Sequence, residues 1–171
     1  MQKRIALLLL LGSLAFVSKA QMRDSIGPGL FGESYQQVLA VLHKVYGHPS
    51  HLDSSKVVYR RKEYDGFHFD TLEFDFQYGN SQSYFNQARF SIPCTSKDSA
   101  VRTARIMANK LSQNYMVSYD EEDDHTPFYI GGQSPDGMGG LFTVYIVPRR
   151  GRWLCQLRYG PFNFIPKQKT S

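Results

Sequence analysis

Metal or acid–base chemistry that needs an imidazole has only five histidines to draw on in this chain of 171 residues. His43, His48, His51 and Asp53 gather imidazole and carboxylate groups in one short segment, the ligand types that hold zinc or copper. They straddle what reads as a helix end, where the same side chains interact favourably with exposed carbonyls and the helix dipole. The cluster therefore stands only as a candidate, and no metal is assigned. His68 and Asp70 sit two residues apart on a strand face, as a surface pair rather than a dyad. Asp120, Glu121, Glu122, Asp123 and Asp124 offer oxygen ligands without the spacing that bends a loop around calcium, so they read as a solvated connector. Gly131-Gly132 and Gly137-x-Gly139-Gly140 match no phosphate-cradling template. There is no G-x-S-x-G elbow and no H-E-x-x-H helix, and neither Cys94 nor Cys155 has the setting of a papain-type nucleophile. No catalytic residue and no cofactor follow.

Recognition chemistry has more to work with. The chain carries 11 Tyr, 12 Phe and 1 Trp, more rings than the strands of a small core call for. Tyr78, Tyr84, Tyr129, Phe162 and Phe164 fall at strand ends or in the C-terminal segment, and Arg149, Arg150 and Arg152 cluster nearby in sequence. Exposed Tyr and Arg are the usual anchors of macromolecular recognition. These eight residues are the candidate binding set, against the alternative that the rings cap the open ends of a sheet.

Residues 1–20 read as a secretory signal: Lys3 and Arg4, an apolar run over 5–17, then Ser18-Lys19-Ala20 with small residues where a signal peptidase cuts. The apolar run falls short of the roughly 20 residues that span a bilayer. Export to the periplasm or beyond is expected, with no membrane span in the mature chain. Without Lys3, Arg4 and Lys19 the formal charge drops from +5 to +2, which disfavours nucleic acid as a partner.

The elements that would position these residues have clear punctuation. Residues 21–32, with Gly27-Pro28-Gly29, form a loose arm, 33–165 a single domain, and 166–171 a tail. Ser34 and Gln37 have the form of a capping box before a helix at about 35–46, ended by Gly47 and Pro49. Strands follow at 57–64, 67–78 and 84–92, the first two joined by Asp65-Gly66, with a parity change that suggests a bulge near Asp70-Thr71. A second helix at about 97–115, capped by Thr95 or Ser96, precedes strands near 127–131, 140–148 and 152–160. The order αβββαβββ gives an α+β fold: one antiparallel sheet of about six strands with both helices on one face.

A gap-free offset of 69 residues lays Gln87-Ala88-Arg89-Phe90 on Gln156-Leu157-Arg158-Tyr159, Val38 on Met107, Leu42 on Leu111, and Leu72 and Phe76 on Leu141 and Tyr145. Duplication and a shared αβββ pattern both account for this. If an approximate two-fold axis runs between the third and sixth strands, Cys94 and Cys155 point the same way from adjacent strand ends, and an oxidising compartment would close a disulfide. Two separately buried thiols are the alternative.

Gly32-x-Ser34 followed by Val38, Leu42, Gly47 and Pro49 resembles the helix opening of small envelope domains such as the beta-lactamase inhibitor proteins and the outer-membrane assembly lipoproteins. The chain departs by inserting residues 43–46 before the glycine and by lacking the lipoprotein cysteine. As a whole it is similar to small secreted proteins of unknown function from Bacteroidetes-type bacteria. The resemblance implies a helix ahead of an antiparallel sheet and an envelope compartment, and it brings no activity. The functional expectation is a non-catalytic secreted domain that binds an envelope macromolecule through its sheet face and loops. The alternative is a hydrolase or lyase with a site assembled from dispersed His, Asp and Tyr residues.

Overall fold

The computed structural model describes residues 30–79 and 81–163. The expected signal segment, most of the expected arm, Phe164 and the expected tail lie outside the described residues. The elements are helix α1 (Tyr35–Tyr46), strands β1 (His51–Leu52), β2 (Lys56–Tyr64), β3 (Phe67–Gly79) and β4 (Gln82–Cys94), helix α2 (Lys97–Leu111), then β5 (Val117–Glu121), β6 (Pro127–Gly131), β7 (Phe142–Arg149) and β8 (Arg152–Tyr159). The fold is α+β with one antiparallel sheet, but of eight strands rather than six, in the order β1-β2-β3-β4-β8-β7-β6-β5. The two unexpected strands are the two edges. β1 is only two residues long, and β5 carries an acidic, almost wholly exposed sequence with no apolar alternation. The acidic run is therefore only in part a connector: Asp120 and Glu121 pair with Phe128 and Pro127, whereas Glu122, Asp123 and Asp124 lie exposed in the link to β6, where Asp124 caps the turn by accepting from the Thr126 amide at 2.9 Å.

Helix α1 begins where the Gln37 side-chain carbonyl accepts from the Ser34 amide at 3.3 Å and from its hydroxyl at 2.5 Å. Its buried stripe is Val38, Leu42 and Tyr46. In α2 the Ser96 hydroxyl accepts from the Ser99 amide, and Ala100, Ala104, Met107, Ala108 and Leu111 face the sheet. Helix α2 stops at Leu111, short of the expected 115, yet Tyr115 still packs edge-on against Phe142 at 5.4 Å. The apolar period outlasts the helix because the following turn keeps that ring on the core.

Both helices cover one sheet face. Its core runs from Val57 and Tyr59 through Leu72, Phe74, Ala88, Phe90, Leu157 and Cys155 to Val144 and Ile146, all buried. Phe31 closes the β3–β4 end, stacked on Phe85 at 4.4 Å, and so anchors the chain inside the segment read as a loose arm. Each fully buried Leu, Val or Phe contributes roughly 1.5–3 kcal/mol of transfer free energy, so this face dominates stability. Two-residue hairpins join β2 to β3 and β7 to β8, with Asp65 and Gly66, and Arg150 and Gly151, all at positive φ, the geometry that matches strand twist.

The parity change in β3 has a different origin from a simple bulge. Tyr59 pairs with Leu72 and Lys62 with Phe69, so β2 and β3 change parity together and their register is unbroken, with Arg61 at a φ of 50°. The register shift lies further along, where Asp75 pairs with Gln87 and Phe76 with Phe85. Cys94 and Cys155 are both free and buried. Strands β4 and β8 are adjacent and antiparallel as the disulfide argument required, but Cys94 pairs with Trp153 and Cys155 with Ile92. The two thiols are thus diagonal rather than opposite neighbours.

Candidate functional site: the open sheet face

The strand alternation that puts aromatic rings under the helices turns every second residue toward the uncovered face. Cross-strand partners arrange these residues in rows. One row reads Val58, Glu73, Arg89, Arg158, Thr143, Ile130 and Ser118; the next reads Arg60, Thr71, Ser91, Gln156 and Tyr145. Arg89 and Arg158 face each other directly on the two central strands, β4 and β8.

These two arginines have opposite surroundings. Arg89 donates to Asp75 through Nη2 at 2.8 Å and Nε at 3.1 Å, and Nη2 lies 3.1 Å from Glu73. Lys56 adds contacts of 3.5 Å to both carboxylates. Two cations and two anions thus close a neutral, half-buried array on β2, β3 and β4. Glu73 and Asp75 therefore do more than solvate a strand face. Arg158 instead lies over the Tyr145 ring at 5.2 Å, its Nε is buried without a hydrogen-bond partner, and it has no carboxylate partner among the described residues. Beside it, Gln156 donates to the Ser91 hydroxyl at 2.7 Å. The β7–β8 ribbon carries Arg149 and Arg152 on the same face, flanking Val147 and Leu154, and no acid.

The candidate binding set divides. Tyr78 is 73 % exposed at the β3–β4 hairpin, while Arg149, Arg150 and Arg152 are exposed at the opposite end of the sheet. Tyr84, Tyr129 and Phe162 are buried: Tyr129 and Phe162 join the core, whereas Tyr84, paired with Gln77, is covered on the other face of the sheet. Tyr84 accepts from Gln82 at 2.5 Å, and Phe162 packs edge-on against Phe31 at 4.7 Å. The structure thus gathers only the arginine cluster. The central pair Arg89 and Arg158, with Tyr145, lies outside the candidate set, although the repeated Gln-x-Arg-aromatic tetrads mark both arginines in the sequence.

The histidine segment splits as well. His43 and His48 meet ring to ring at 5.6 Å, whereas His51 bonds Asp53 at 2.9 Å. No group of three or more His, Cys, Asp or Glu side chains among the described residues is placed to share a metal ion. Asp53 is held well below the usual carboxylate range by the Ser55 amide, with His51 adding to it. His68 approaches Glu63 at 3.9 Å, and Asp70 faces Arg60 at 3.7 Å, so His68 and Asp70 do not pair.

In the core, burial pushes the Tyr59 hydroxyl and the Cys155 thiol each up to about 12, and raises the Tyr46 and Tyr159 hydroxyls as well. Hydrogen bonds lower Glu121 and Asp124, Tyr119 acting first on the one and Thr126 on the other. All these shifts run away from neutrality, opposite to the tuning that readies a general acid or base for work near pH 7.

Comparison with protein-family models, with curated proteins and with solved structures finds no match to this chain. Among the described residues, no helix is long and apolar enough to cross a membrane.

Proposed function

We propose that the protein is an exported, non-catalytic binding domain that docks another macromolecule of the cell envelope on the open face of its sheet. The observation that carries this reading is Arg158, which lies over Tyr145 at the centre of that face without a carboxylate partner, beside the closed array of Arg89. Recognition surfaces concentrate binding energy in Arg and aromatic residues near their geometric centre. The apolar run over 5–17 supports export.

We also read the chain as a duplicated unit of one helix and four strands. The offset of 69 residues that lays Arg89 on Arg158 also pairs those two residues across β4 and β8, as an axis passing between them requires. Val38 and Met107, and Leu42 and Leu111, occupy matching buried positions. The gap-free form fails at β3 and β7, where Phe76 faces the core and Tyr145 the open side, so the halves differ there by a one-residue shift.

Site-specific photocrosslinking in envelope extract tests the binding reading. A photoreactive side chain at Tyr145 is expected to capture a discrete partner, and one at Ile106, 62 % exposed on α2, is expected to capture none. Capture from Ile106 alone, or from neither position, contradicts it.

A further inference from the structure

We propose that the β7–β8 ribbon receives an acidic protein segment, with a carboxylate of the partner bound by Arg158. This rests on the binding reading above and names the partner's chemistry. Like charges directly opposite in a ladder destabilise a sheet. Arg89 escapes that penalty through Glu73 and Asp75, but Arg158 does not. Its Nε is buried without a partner, so the fold leaves the guanidinium unanswered, and an outside acceptor would meet it at the Nη groups, which are not among the buried unpartnered atoms. The guanidinium lies 5.2 Å over the Tyr145 ring, and its planar donor fork is the group that matches a carboxylate bidentately.

The surroundings favour protein over phosphate polymers. Thr143, Gln156 and Ser91 add neutral hydrogen-bonding groups, and Val147 and Leu154 lie between Arg158 and the outer pair Arg149 and Arg152. Arginine mixed with aliphatic and aromatic side chains is the composition of protein interfaces. Nucleic acid or an anionic membrane would instead draw on a persistent basic face, and on this sheet Lys56 and Arg89 are already neutralised.

The test uses the purified protein and three anionic probes: a fluorescent peptide of about ten glutamates, a single-stranded oligodeoxynucleotide of matched charge, and vesicles containing phosphatidylglycerol. The peptide is expected to bind most tightly. Arg158→Met should weaken it roughly tenfold, and Arg158→Lys, which keeps the charge without the fork, should restore part of the loss. Arg102→Ala, on the exposed side of α2, should change it less than about twofold. Melting temperatures establish that the variants are folded. Absence of peptide binding, an unaltered affinity in Arg158→Met, or tighter binding of the oligonucleotide or the vesicles overturns the proposal. Because crosslinking from Tyr145 reports on docking whatever the partner's charge, capture there with failure here would remove the carboxylate and leave the binding face.

Discussion

Arg89 and Arg158 occupy facing positions on the two central strands, yet one belongs to the fold and the other is left over from it. On the β1–β4 side every charge near the centre is answered: Lys56 and Arg89 against Glu73 and Asp75. On the β5–β8 side, Thr143 and Tyr145 stand where carboxylates would be needed, and the guanidinium lies against a ring. The same side chain in the same ladder position therefore has two physical roles, and its neighbours one strand away decide which. A closed ion-pair array holds the sheet, whereas an unanswered cation is available to something outside it.

The largest expected effect breaks both sides together. Phe90 is fully buried against Phe69 and Phe74 and pairs with Leu157 across the centre, so Phe90→Ala should cost about 3–5 kcal/mol in urea unfolding. A loss below about 1 kcal/mol would mean the two halves do not share one core.

Arg89→Met sharpens the comparison. It strands two partly exposed carboxylates with only Lys56 for company, for an expected loss of ~1–2 kcal/mol, less than a fully buried pair would give. High salt should leave most of that loss in place, because the array is half-buried.

Alkaline titration reads the core face. Cys155 and Tyr59 keep their protons up to about 12 in the folded chain, against about 8.5 and 10 when unfolded. Across that window the native state binds more protons than the unfolded one, so stability should fall as pH rises from about 9 toward 12. Cys155→Ala should flatten the early part of that fall, and an unchanged slope would place the thiol in contact with water. Smallest of all is the response to a metal chelator. With His43 and His48 apart from His51 and Asp53, the melting temperature should not move, and an appreciable drop would restore those four residues as a site.

Local signals made much of the fold readable in advance. The Ser34 and Gln37 box, the Ser96 cap and the Asp65-Gly66 turn each rest on chemistry contained within a few residues, and they mark elements the structure contains. Strands β1 and β5 were not legible, because their pairing is dictated by β2 and β6 rather than by their own patterns. The burial of Tyr129 and Phe162 was not legible for a related reason: whether a strand-end ring is core or surface depends on what lies against it, here Tyr119 for Tyr129 and Phe31 for Phe162. The candidate site was the least legible part. Arg158 differs from Arg89 only through side chains on β3 and β7, distant in sequence from both.

Urea unfolding of Arg158→Met beside Arg89→Met tests the contrast between the two arginines most directly. If Arg158 is held for an outside partner, replacing it with an apolar side chain of similar length removes an unsatisfied buried donor and a facing like charge. Arg158→Met should then be as stable as the parent protein or up to about 1 kcal/mol more so, while Arg89→Met is weakened. A loss in Arg158→Met equal to that in Arg89→Met would make both arginines structural and contradict the account.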